Sequence, residues 1–212
     1  MSDSSVFNED YYENGIAAGV SNYESYSYKP ELSVPFAAAI KQFMGMKDGD
    51  TIHEIGCAKG FIVHALRTLG LKATGEDISE YAIANCHPDV VNYVSTGWER
   101  LPMAWDYLLS KDCLEHLEEH EMRKLLAELL PSLKKLMLII VPLAKEDGGN
   151  YVCPKDEGDV THKLRWTLPT WISQLESIDR RLVVAGSYYI PQMKQANVAW
   201  EKSCGFLTIR RL

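Results

Sequence analysis

Residues 52–77, IHEIGCAKGFIVHALRTLGLKATGED, constrain the fold of this chain more than any other stretch. Residues 51–55 are a short strand candidate, followed by a glycine-spaced turn, Gly56-Cys57-Ala58-Lys59-Gly60. Phe61, Ile62, Ala65, Leu66 and Leu69 then recur at i, i+3, i+4 spacing, which predicts a helix with one buried face. Gly70 is placed to stop it, and residues 71–74 read as a second strand running into Gly75-Glu76-Asp77. This is a βαβ unit with small residues where the first strand meets its helix.

Such a turn lets backbone approach a ligand with no Cβ in the way, next to the unpaired N–H groups of a helix start. An acid about twenty residues on can accept from ribose hydroxyls. The stretch therefore suits an adenosine-containing ligand. The spacing here is G-x-A-x-G rather than G-x-G-x-x-G, which argues against a nicotinamide dinucleotide.

These residues resemble motifs I and II of class I S-adenosylmethionine-dependent methyltransferases. Glu54 stands at the first acid, Gly56 and Gly60 at the outer glycines, and Ala58 replaces the middle one; Asp77 falls in the G-x-D-x-S ending, Gly75 to Ser79. The resemblance spans roughly residues 11–143. It implies an α/β, Rossmann-like, mostly parallel seven-stranded sheet with helices on both faces. It also implies S-adenosyl-L-methionine held by Glu54, Gly56, Cys57, Ala58, Gly60, Asp77, Ile78 and Lys111, with Trp98 or Glu99 against the adenine.

Around this centre, residues 1–10 read as disordered or loosely held. A tyrosine-rich segment follows, with Tyr11, Tyr12, Tyr23, Tyr26 and Tyr28. It either covers the cofactor, as leaders do in the family, or lies on the surface with its hydroxyls wet. We divide the chain into a cap, residues 1–30, and a methyltransferase domain, residues 31–212. Residues 35–44 read as a helix with Pro35 in its first turn, residues 79–86 as a helix capped by Ser79, and residues 90–94 as a third strand. Residues 105–110 and the continuous apolar run 136–141 are further strands, flanking an amphipathic helix that ends near Pro131. A long polar loop, residues 144–159, precedes a helix over 167–175 and two closing strands, 181–187 and 206–209.

In an open α/β sheet, ligands sit beyond the carboxyl ends of the strands, where residues 111–117 would fall. Asp112, Glu115 and His116 are spaced i, i+3, i+4, so on a helical turn they share one face. The Leu114-Glu115-His116-Leu117 run resembles the segment after strand four of many small-molecule methyltransferases. Three roles stay open. His116 takes a proton from an acceptor hydroxyl; or Asp112, Glu115 and His116 hold a divalent metal, as in the E-x-x-E-H motif of some O-methyltransferases; or the cluster is structural. His162, near the end of the long loop, is a second base candidate or a further metal ligand, and His53 reads as structural.

Composition bounds the partners. Net charge −7 and a pI near 5.4 make nucleic acid an unlikely partner. Five scattered cysteines without a C-x-x-C pair read as reduced thiols in a cytoplasmic setting. The start, MSDSSVFNED, is not a signal peptide, and no apolar run reaches membrane-spanning length. The expected activity is O-methylation of a small-molecule or glycan acceptor. The alternatives are a protein or nucleic-acid methyltransferase and a non-catalytic binder of an adenosine ligand.

Overall fold

The computed structural model describes residues 3–97, 104–188, 190 and 202–211. Among them, seven strands form one sheet in the order β3-β2-β1-β4-β5-β7-β6. They are β1 (Thr51–Ile55), β2 (Lys72–Asp77), β3 (Val94–Thr96), β4 (Trp105–Lys111), β5 (Leu133–Pro142), β6 (Leu182–Ser187) and β7 (Cys204–Arg211). The first five are parallel; β7 runs antiparallel to both β5 and β6. The chain steps outward from β1 through β2 to β3, then crosses back to lay β4 on the other side of β1. That reversal leaves a crevice beyond the carboxyl ends of β1 and β4.

Helices cover both faces, because β5 is apolar at every central position and must be buried twice over. Leu138 and Ile140 pack with Phe36 and Ile40 of α3 (Pro30–Phe43) and with Val63 and Leu66 of α4 (Phe61–Thr68). Met137, Ile139 and Val141 face the other way, onto Met122, Leu126 and Leu129 of α6 (Glu119–Leu129) and Trp171 and Leu175 of α7 (Leu168–Glu176). Ser79 caps α5 (Glu80–Ala84) by accepting from the Ala82 N–H at 2.9 Å.

The structure corrects three local expectations. Residues 4–6 form a 3-10 turn and residues 9–13 a short helix, α1, and Phe7 is buried against Tyr11, Tyr12 and Ala82, so residues 4–10 are tied down. The helix expected from Pro35 begins at Pro30. Pro30 takes the first-turn place, where a missing N–H costs nothing, and Pro35 sits inside. Residues 88–90 form a 3-10 turn opened by Pro88, and the third strand begins only at Val94. A further one-turn helix, α2, spans Gly15–Ala18.

Candidate active site

The turn after β1 is built by positive φ angles: +74° at Gly56, +47° at Ala58 and +70° at Gly60. A side chain at Gly56 would overlap Cys113 Sγ, and one at Gly60 would come within 2.9 Å of Val90 Cγ2. Both conformation and space therefore demand glycine there. Ala58 takes the left-handed conformation without being glycine, at a cost of about 1–2 kcal/mol. The loop is pinned to β2: the Gly56 and Cys57 N–H groups donate to the Glu76 carbonyl, and the Ala58 N–H donates to Asp77 Oδ2 at 2.7 Å.

A cleft of about 820 Å³, counted to its open mouth, lies over this turn. Its walls include Glu54, Gly56, Cys57, Ala58, Asp77 and Ile78. Glu54 is buried, and its Oε2 has no hydrogen-bond partner among the described residues. Burial pushes its carboxyl up to about 8, only partly offset by Lys111. Asp77 Oδ1 accepts from the Ser79 N–H at 2.8 Å and Oδ2 from the Ala58 N–H at 2.7 Å. Burial raises the Asp77 carboxyl too. An unsatisfied acid at the turn and a two-oxygen acid one strand over fit the ammonium and the ribose diol of S-adenosylmethionine.

His116 also lines the cleft. β4 ends at Lys111, Asp112 takes a left-handed turn at φ +48°, and Leu114–His116 form a 3-10 helix. Asp112 thus precedes the helical turn, and the shared face expected for Asp112, Glu115 and His116 does not form. The trio whose ligand atoms lie within 4.8 Å of one another is Glu115, His116 and His162. Asp112 pairs instead with Lys111. Folding of the long loop brings His162 in: the Lys163 and Leu164 N–H groups donate to the Glu115 carbonyl at 2.8 and 3.0 Å. The His162 ring packs edge-on against His116 at 4.7 Å, and it is not among the residues walling the cleft.

Sequence reasoning missed the group that sets the state of His116. Thr161 Oγ1 donates its one proton to Asp159 Oδ1 at 2.5 Å. It lies 2.7 Å from His116 Nδ1, and with its own proton spent it can only accept there. His116 is therefore the Nδ1–H tautomer, and Nε2 keeps its lone pair. Burial, then the neighbouring His162, hold its conjugate acid down at about 4, so the ring is neutral at pH 7. Burial also lowers His162. The available sequence signal was Asp159-x-Thr161, an Asx turn closed by the Thr161 N–H on Asp159 Oδ1 at 3.0 Å.

The tyrosine-rich leader lies across the cleft, where Phe7, Tyr11, Tyr12, Tyr23 and Tyr26 line it. Tyr11 and Tyr12 are buried, which decides against wet surface tyrosines at those two positions. The Tyr11 hydroxyl donates to Asp159 Oδ2 at 2.7 Å. Lys59, inside the glycine turn, donates to Glu13 and to the Tyr26 carbonyl at 2.8 Å. Ser79 Oγ donates to the Phe7 carbonyl. Burial, reinforced by the charge of Asp159, drives the Tyr11 phenol far above its ordinary range, so it acts only as a donor. His53 is structural, stacked on Trp105 and bonded to Thr74 Oγ1 at 2.8 Å. Trp98 and Glu99, the adenine candidates, lie outside the described residues.

Residues 53–140, somewhat under half of the chain, match the family model of the methyltransferase domain. The fold around them is the one that solved S-adenosylmethionine-dependent methyltransferases share. No curated protein matches the chain in sequence. Among solved structures it is similar to a SAM-dependent methyltransferase from Archaeoglobus fulgidus, at 15% identity and TM-score 0.62 over 86% of this chain and 97% of that one. A TehB-like SAM-dependent methyltransferase from Corynebacterium glutamicum is similar at 13% identity and TM-score 0.62, over 99% and 98%. So is the Burkholderia thailandensis 1,6-didemethyltoxoflavin-N1-methyltransferase with bound S-adenosylhomocysteine, at 17% identity and TM-score 0.62, over 85% and 78%.

Proposed function

We propose that this enzyme methylates a hydroxyl of a small molecule or sugar, with His116 facing the acceptor. The observation that carries this is the chain Asp159–Thr161–His116, which holds a neutral imidazole in the lining of the cleft that Glu54 and Asp77 also line. When bound, S-adenosylmethionine supplies a methyl activated by its sulfonium. Glu54 would receive the donor's ammonium, the turn from Gly56 to Gly60 its amino-acid backbone, and Asp77 its ribose. The leader, the cap over residues 1–30, excludes water with its tyrosine rings and leaves the acceptor a mouth near His116. Alignment of acceptor and methyl then supplies most of the rate. His116 Nε2 takes the hydroxyl proton as the oxygen attacks, while Thr161 and Asp159 hold the ring's other nitrogen. A cytoplasmic setting fits the free cysteines.

A second reading shares the same lone pair. Glu115, His116 and His162 converge within 4.8 Å, and a neutral imidazole whose far N–H is hydrogen-bonded is how proteins orient a metal-binding histidine. A divalent cation there would polarise the hydroxyl in place of a base. One experiment separates the readings. Release of S-adenosylhomocysteine is followed over a panel of alcohols, phenols, sugars and amines, with and without excess EDTA. Turnover on hydroxyls that persists in EDTA and falls in His116→Ala supports the base; loss in EDTA supports the metal. Turnover confined to amines, or untouched by His116→Ala, overturns the proposal.

A further inference from the structure

Behind the glycine turn, on the outer side of α4, two histidines and an aspartate meet away from the chemistry described above. His64 projects from the second turn of α4, and His87 and Asp89 flank Pro88 in the 3-10 turn before β3. The imidazole rings are stacked, centroids 3.8 Å apart and 19° from parallel. Asp89 Oδ2 lies 3.7 Å from His64 Nδ1 and 3.9 Å from His87 Nδ1. Both distances exceed a hydrogen bond. The Asp89 N–H reaches His87 Nδ1 at 3.3 Å, the long end of the range, which makes that nitrogen an acceptor. All three ligand atoms come within 4.8 Å of one another.

We infer that His64, His87 and Asp89 form a binding site for a borderline divalent cation of the zinc, nickel or cobalt type. The distances fit that class. Two ligand atoms each about 2.05 Å from a tetrahedral ion stand about 3.4 Å apart. The observed nitrogen–oxygen gaps need close by only a few tenths of an ångström. The rings must splay from their stack, and His87 Nδ1 must release the long bond from the Asp89 N–H, so that both lone pairs aim at one point. Their side chains are 15% and 16% exposed and Asp89 is 69% exposed, so the carboxylate can follow them and solvent can complete the shell. Two imidazoles and one carboxylate favour such ions over magnesium or calcium, which prefer oxygen. The anchor points are firm: the His87 N–H donates to the Lys59 carbonyl at 2.9 Å, and Tyr28 of the leader packs edge-on against both rings at 5.1 and 4.9 Å. A bound ion would staple the 3-10 turn to α4, directly behind the turn that carries Lys59.

The test removes the other histidine cluster first. Chain carrying His116→Ala and His162→Ala, stripped with EDTA and dialysed, is titrated with zinc by calorimetry. One zinc per chain at micromolar Kd is expected, weakened at least ten-fold by His64→Gln or His87→Gln and less by Asp89→Asn. Saturating zinc should raise Tm by several degrees. An undisturbed Kd in the His64→Gln/His87→Gln double variant, or no binding below about 1 mM, overturns the site. Should the His64 or His87 variants fail to fold, copper paramagnetic resonance on the His116→Ala/His162→Ala chain decides: hyperfine structure from two nitrogens supports the site, and from fewer than two overturns it.

Discussion

Glu54 lines the cleft as a buried acid, and its Oε2 has no hydrogen-bond partner among the described residues. Its carboxyl is raised from 4.5 to about 8, so the folded chain binds more protons than the unfolded chain between those values. Stability then falls as pH rises through that window, and is fully retained below it. Glu54→Gln should flatten that loss, visible as Tm measured from pH 4.5 to 8.5 without ligand. It should also weaken S-adenosylmethionine binding at least ten-fold by calorimetry. A variant with the parent's pH slope would show that another group carries it. Ala58 makes a second residue-scale prediction. Its left-handed backbone is strained, so Ala58→Gly should stabilise the chain by about 1 kcal/mol, after the roughly 0.4–1 kcal/mol that glycine loses through the unfolded state. Denaturant unfolding measures this, and a loss of stability would contradict the strain.

Two elements act together at the acceptor end. The loop before α7 brings Asp159 and Thr161 to His116, and the leader adds Tyr11 to the same aspartate. His116→Ala should cut kcat by about 10²–10⁴ while leaving donor affinity within about three-fold. Thr161→Val removes the acceptor for the Nδ1–H and should lower kcat as well, with Thr161→Ser restoring it. The ring is neutral above about pH 4, so it gives no acid limb in kcat/KM near 6.5. A limb at 6.5 that vanishes in His116→Ala would contradict the burial of that ring. Lys59 ties the leader to the glycine turn, so removing residues 1–28 should weaken donor binding at least ten-fold. Unchanged binding would mean the tyrosines cover nothing that matters to the donor.

Across the whole molecule, the parallel half of the sheet, β3 apart, was legible because its signals are local. Periodicity marked α4 and α6, and the apolar run marked β5. The glycine turn was legible because left-handed backbone and close approach exclude most side chains at Gly56 and Gly60. Pairings between distant parts of the chain were not legible. Thr161 meets His116 only because the Lys163 and Leu164 N–H groups bond the Glu115 carbonyl. Asp112 left the expected trio because one backbone angle turned positive after β4. Proline misled at residue 35 because either Pro30 or Pro35 could occupy a first turn. The double burial of β5 makes a prediction at this scale. Ile139→Ala should cost about 2–5 kcal/mol, seen as a lower denaturant midpoint at unchanged slope. A cost below about 1 kcal/mol would mean the α6 face is not closely packed.

A crystal structure with S-adenosylhomocysteine bound measures directly where the donor sits. We predict ribose hydroxyls within hydrogen-bond distance of Asp77, the ammonium against Glu54 and the sulfur turned toward His116. A nucleoside bound elsewhere, with Glu54 and Asp77 both untouched, would contradict that placement.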